Sequence, residues 1–340
     1  MSFARHGKAP LAAAVALGLL VASAMPLALI HWDALLGFGL KFGAGRQADR
    51  FLRSERTGAP LVLAIGDSTM RPPIPFPKQM AVRIGPAVEV RTFWGAGLSP
   101  AEAALIASAA LELEPAAMIL LAHFATFEAP QPLRYPELVR IVPPRRVPDL
   151  LPLPFSARGI GVGEIVFGSL AGAILPTSWL RISTGGVEWL EEQLESRWKV
   201  TPGTDYHRLR RFGELRLGAI LRSVDKVYPG HPSVEMLRGT VRMIEGAGVE
   251  VLVVISPVNV APLQEHGVYD AVDIERRVQH VSEVVESAGG EVLDMHDGLP
   301  PEEFADELGH YTTTGARRIS LPVEDWTRRV LRLPPRRRGK

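Results

Sequence analysis

Five short apolar runs, each closing on a turn, constrain this chain more than any other feature of it. They lie at Leu61–Ile65, Val88–Phe93, Met118–Ala122, Val249–Ile255 and Glu291–Met295. Runs of this length, rich in β-branched residues and bounded by Gly, Pro or Ser, read as strands. Val-Glu-Val-Leu-Val-Val-Ile at 249–255 is the clearest of them. Helical segments alternate with the runs. Ala101–Leu113 opens on Ser99-Pro100, a serine N-cap followed by a proline in the first turn. A helix near Ser233–Ala247 stops at Gly248, one near Asp270–Ser287 is broken by Gly289-Gly290, and a last helix follows Thr312. Strands separated by helices pair in parallel through right-handed crossovers, so the chain is expected to be an α/β protein.

Composition narrows the function. Of 340 residues, 46% are hydrophobic and 22% charged, as in a globular protein. The formal net charge of +1 gives no argument for nucleic acid as a partner. Cysteine is absent, which excludes disulfides, thiolate zinc sites and a cysteine nucleophile. There is no Gly-x-x-x-x-Gly-Lys loop, and Gly159-Ile160-Gly161-Val162-Gly163 lacks the spacing of a dinucleotide fingerprint. The histidines show no metal-ligand spacing, and Asp294-Met295-His296-Asp297 reads as a strand end running into a turn. No cofactor and no metal are expected.

Outside the α/β pattern the chain divides further. Arg5 and Lys8 precede an uncharged run over 9–30. That is about the twenty residues needed to cross a bilayer core, and Trp32 follows at an interfacial position. Residues 1–31 are either a cleaved signal segment, with Ala22-Ser23-Ala24 as the cleavage-like site, or an uncleaved anchor. The run continues through Leu27 to Ile30, which favours the anchor, an N-terminal transmembrane helix. Lys41, Arg46 and Arg50 follow the run, so charge does not orient it. Residues 32–57 mix apolar and basic positions at helical spacing and read as a juxtamembrane helix or linker. The α/β domain spans 58–332, with an insertion at about 129–230 placed over the site. Within the insertion, 129–155 is proline-rich and reads as an extended loop, Ile165–Leu180 as a buried helix or lid, and 186–222 as charged amphipathic helices. The basic tail, 333–340, reads as a solvated end.

The first apolar run ends in Gly66-Asp67-Ser68, which delivers a serine to the C-terminal edge of a parallel sheet, where ligands bind in such folds. Asp67 is an orienting or capping residue there. The second run leads into Gly95-Ala96-Gly97-Leu98-Ser99. Near the end stands Phe304-Ala305-Asp306-Glu307-Leu308-Gly309-His310-Tyr311-Thr312-Thr313-Thr314-Gly315. An imidazole, with an unperturbed pKa near 6.5, suits base work at neutral pH.

In this order these blocks resemble those of the SGNH or GDSL hydrolases, serine esterases and acyltransferases, over roughly residues 59–330. The resemblance implies a flavodoxin-like three-layer sandwich with a five-stranded parallel sheet. It implies Ser68 as nucleophile, His310 as base and Asp306 as the acid that orients it. Asp306 stands four residues before His310 where the family has three, so Glu307 is the alternative acid. The Ser68 and Gly97 amides would form the oxyanion hole, with Gly95 as the second choice to Gly97. The third family block, Gly-x-Asn-Asp, is broken here: Leu121-Ala122-His123-Phe124-Ala125-Thr126 puts alanine where the donor asparagine stands. His123, Thr126 and Asn259, which follows the fourth strand, are the possible substitutes. The implied activity is that of a membrane-anchored esterase or O-acyltransferase acting on acyl esters, with cell-surface glycans as a substrate class and the domain outside the cytoplasm. Ala125 supports the other reading, a catalytically inactive binding or assembly protein of the cell envelope with an envelope protein as partner.

Overall fold

A computed structural model describes residues 47–48, 51–70, 76–95, 97–127, 133, 135–174, 227–265, 270–305 and 310–335. The anticipated N-terminal span, most of the juxtamembrane segment, the charged stretch at 186–222 and the last five residues lie outside them. Among the described residues no helix is long and apolar enough to cross a membrane.

The five apolar runs form five strands: β1 (Leu61–Gly66), β2 (Glu89–Trp94), β3 (Ala117–Ala122), β4 (Glu250–Ile255) and β5 (Glu291–Asp294). All pairings are parallel, in the order β2-β1-β3-β4-β5. That order is shared with flavodoxin-like folds, and it places a reversal of winding between β1 and β3, where such sheets open a crevice at their C-terminal edge.

Side chains alternate along each strand and feed two separate cores. Leu61, Leu63 and Ile65 of β1 join Met118 and Leu120 of β3 and Val251 and Val253 of β4 on one face. Three helices cover that face: α2 (Pro100–Ala110), α4 (Pro232–Gly246) and α6 (Ala271–Glu286). Val62 and Ala64 point the other way, toward α1 (Phe76–Ile84) and α7 (Thr313–Val330), where Met80, Ile319, Val323 and Trp326 are buried. Helices therefore sit on both faces of the sheet.

Local sequence sets the helix starts. Ser99 caps α2 in a reciprocal capping box with Glu102. The His231, Asp270 and Thr312 side chains accept from the first turns of α4, α6 and α7.

Ahead of β1, the linker folds back on the edge strand. Phe51 packs edge-on against Phe93 with centroids 5.9 Å apart. Arg91 donates to the Phe51 and Glu55 carbonyls, and Glu89 accepts from the Thr57 amide. The end of the juxtamembrane segment is thus part of the domain.

From residue 135 on, the proline-rich stretch is not an extended loop. Its prolines start tight helical turns, at Pro136–Ile141 and Pro144–Arg146, followed by single turns at Val147–Leu150 and Ser156–Arg158. Leu138, Leu150 and Phe155 carry these turns into the first core. The apolar helix after them is α3 (Val162–Ile174). It is buried on one side only: Ile165 is inside and Ser169 donates to the Val142 carbonyl, while Phe167 is 73% exposed. After β4 comes α5 (Val260–Glu265), and residues 175–226 lie outside the described residues.

Candidate functional site

The site is assembled where β1 ends. A Cβ on Gly66 would lie 2.1 Å from the Met70 sulfur and 2.8 Å from Leu121 Cβ, so only glycine lets the chain turn so closely over β3. The turn that follows, Ser68–Met70, is a single 3-10 turn in which the Met70 amide donates to the Asp67 carbonyl. Asp67 is the organising side chain. One carboxylate oxygen accepts from the Thr69 amide at 2.9 Å and from the Thr69 hydroxyl at 2.6 Å. The other lies 3.0 Å from Nδ1 of His123, at the end of β3. Asp67, Thr69 and His123 are all buried. Burial pushes the Asp67 carboxyl up, but attraction to the His123 ring and the hydrogen bonds from His123 and Thr69 outweigh it, bringing the group from 3.8 down to about 2. Asp67 is therefore a carboxylate that caps its own turn and ties β1 to β3.

Ser68 is held between these anchors and is itself partly exposed. Its hydroxyl oxygen lies 3.1 Å from Nε2 of His310, although the two residues are 242 positions apart. The imidazole is delivered by a short hairpin: Phe304 and Tyr311 form an antiparallel bridge, and the Ala305 amide donates to the His310 carbonyl at 2.7 Å. Behind the hairpin, the Thr312 amide and hydroxyl both donate to the Glu303 carbonyl, at 2.8 and 3.1 Å. Gly315 lets α7 approach that same oxygen, since a Cβ there would meet it at 2.6 Å. Asp306 and Glu307, the two candidate acids, lie outside the described residues.

Tyr311, next to the imidazole, extends the site in a way the sequence reading did not single out. Part of its ring is exposed, but its hydroxyl is turned inward and makes a short hydrogen bond with Ser256, just past β4. Burial pushes the phenol above its ordinary range; the hydrogen bond with Ser256 acts against this, and the nearby Asp67 carboxylate adds to it. The only forewarning in the sequence was the placement of Ser256 at the end of the fourth apolar run and Tyr311 beside the histidine.

The oxyanion candidates divide. Gly97 has φ +65°, the left-handed region that favours glycine, in the turn between β2 and α2. The Gly95 amide is already engaged, donating to the Gly66 carbonyl at 3.2 Å, which removes the second choice. The Thr126 hydroxyl donates to the His123 carbonyl at 2.7 Å, so its proton is spent on the backbone. His123 commits Nδ1 to Asp67; its Nε2 is then an acceptor in the neutral ring and a donor only in the imidazolium. Asn259 stands in the loop from β4 to α5, at the same edge of the sheet. Among the described residues, no group of three or more His, Asp or Glu side chains is arranged to hold a metal.

The arrangement is a partly exposed hydroxyl hydrogen-bonded to an imidazole, the pairing by which a serine oxygen loses its proton as it attacks. It sits at the rim where the winding of the sheet reverses, over a carboxylate held ionised beneath. Compared with models of protein families and with curated protein sequences, the chain matches none.

Proposed function

We propose that this chain is a serine esterase or O-acyltransferase of the SGNH or GDSL type. One observation carries the reading: His310 Nε2 stands 3.1 Å from Ser68 Oγ at the C-terminal rim of a parallel sheet. His310 takes the Ser68 proton as Oγ attacks an ester carbonyl. The Ser68 and Gly97 amides stabilise the oxyanion, the ester C–O bond breaks, and the leaving alcohol takes the proton from His310. Water or a sugar hydroxyl, giving its proton to His310, then attacks the acyl-serine; the bond from the acyl carbon to Ser68 Oγ breaks, and Oγ takes the proton back from His310 as the acyl product leaves. Asp306, or Glu307 in its place, orients the imidazole. The uncharged run at 9–30 tethers the domain to a membrane, with the domain on the extracytoplasmic side and acylated surface glycans within reach.

The test is turnover of p-nitrophenyl acetate by the full chain beside Ser68→Ala and His310→Ala. Both variants are expected to fall by about 10³-fold or more. Equal rates in all three reject the proposal.

A second reading, a catalytically silent binding or assembly protein of the envelope, is favoured by Ala125 and by the engagement of the Thr126 hydroxyl and of His123 Nδ1. These leave the third oxyanion donor of the family pattern unfilled by the residues of that block. A fluorophosphonate probe separates the two readings: stoichiometric labelling of Ser68 sinks the silent protein, and its absence supports it.

A further inference from the structure

Both members of the Ser68–His310 couple are chain neighbours of a second set of polar side chains. Asp67 precedes Ser68 and Thr69 follows it, and Tyr311 follows His310. These neighbours tie the couple to the ends of β3 and β4. Asp67 accepts the Thr69 hydroxyl proton at 2.6 Å on one oxygen and faces His123 Nδ1, at the end of β3, with the other. The Tyr311 hydroxyl is hydrogen-bonded to Ser256, just past β4.

We propose that Tyr311 is a positioning residue, holding His310 in register with Ser68 through the bond of its hydroxyl to Ser256 at the end of β4. The inference rests on the esterase reading for its kinetic consequence, but not for its geometry. The Ser68 turn is fixed to the end of β3 through Asp67 and His123, and the His310 hairpin to the end of β4 through Tyr311 and Ser256; β3 and β4 are paired neighbours in the sheet. Without the phenol oxygen the hairpin loses that tie to the sheet. A shift of about 1 Å between reacting groups costs on the order of 100-fold in rate. The phenol proton is not transferred in the reaction; the tie acts on distance alone.

The deciding variants are Tyr311→Phe, which keeps the ring packed on Phe304, and Ser256→Ala/Tyr311→Phe. The double variant removes both partners of the bond together, so that no hydroxyl is stranded and stability is largely restored. With p-nitrophenyl acetate, both are expected to lower kcat by about 10–100-fold, with KM within about twofold of the wild type. Unchanged kcat in either, or recovery of kcat along with stability in the double variant, overturns the proposal. A second measurement does not need turnover. Ser68→Ala is expected to shift the His310 ring resonances in NMR spectra of the parent chain, and to shift them little in the Tyr311→Phe background. Equal shifts in both backgrounds overturn the positioning role. If the parent chain neither turns over ester nor labels with fluorophosphonate, the esterase reading fails, and the NMR comparison alone decides for or against the positioning role.

Discussion

Asp67 and His123, 56 positions apart, share a 3.0 Å hydrogen bond under the partly exposed Ser68. The bond joins the ends of β1 and β3, the two strands between which the winding of the sheet reverses. It gives a pH signature. The folded carboxyl titrates at about 2 against 3.8 for the ordinary group, so the folded state prefers the ionised form. The stability this confers is complete above the unfolded value and is lost as pH falls through the folded one. Its size is about 2 kcal/mol. Asp67→Asn is expected to cost about that much in urea unfolding at pH 7, with the gap to the parent narrowing as pH drops from about 4 toward 2. A gap that stays constant over that window contradicts an ionised Asp67.

Gly66 shows why the turn needs a glycine despite having no unusual φ. Its missing Cβ would overlap the Met70 sulfur, 2.1 Å away, and Leu121 Cβ, 2.8 Å away. Met70 is completely buried, and Leu121 Cβ is fixed by the β3 backbone, so neither yields freely. Gly66→Ala is expected to lose about 1–3 kcal/mol of stability. It should also slow Ser68 labelling by a fluorophosphonate, because Ser68 lies in the turn between Gly66 and Met70. An unchanged melting temperature excludes the close approach.

The three central strands, β1, β3 and β4, were legible in the sequence because each is apolar enough to be buried on both faces; the edge strands β2 and β5 are only partly buried and were legible from their short runs between turn residues. Val249–Ile255 was read one residue longer than β4, and Val88–Phe93 one residue earlier than β2. Helix α1 was not read at all: Pro72, Pro73, Pro75 and Pro77 obscure its start, and its burial is decided by α7, nearly the whole domain away in sequence. The same limit applies at the site. Ser68 and His310 were visible because each sits in a recognisable local pattern. The pairing of Asp67 with His123, and of Ser256 with Tyr311, had no local pattern, because each joins loops whose proximity exists only once the sheet has formed. Gly95 was an alternative on spacing, and only the fold reveals that its amide is occupied by Gly66.

Ser99 and Glu102 form the capping box that starts α2 directly after Gly97. Glu102 is wholly buried, and it accepts from the Ser99 amide at 2.8 Å and from the Tyr135 amide at 2.7 Å. It thereby ties the Gly97 turn to the tight turns of the insertion. Ser99→Ala removes one hydroxyl and is expected to cost about 1 kcal/mol. Glu102→Ala strands both amides and is expected to cost more, about 2 kcal/mol or above. Urea denaturation of the two variants checks the order; equal costs show that Tyr135 draws nothing from Glu102.

Gly315 and Gly246 are both helical glycines, and the structure predicts opposite outcomes on adding a methyl group. Around Gly246, near the end of α4, there is nothing within 4 Å of a built Cβ. Gly246→Ala is expected to be neutral or to stabilise by up to about 1 kcal/mol through a better helix propensity. At Gly315 the new Cβ would stand 2.6 Å from the Glu303 carbonyl oxygen and 3.3 Å from Tyr311 Cβ. That oxygen belongs to the backbone and already accepts from the Thr312 amide and hydroxyl, so it has no rotamer to escape into. The first turn of α7 must therefore move away from the hairpin that carries His310. Gly315→Ala is expected to cost about 1–3 kcal/mol and to lower fluorophosphonate labelling of Ser68 by about 10–100-fold. Thermal unfolding and labelling rates of the two variants, measured side by side, check it: if Gly315→Ala behaves like Gly246→Ala, α7 does not set the position of His310.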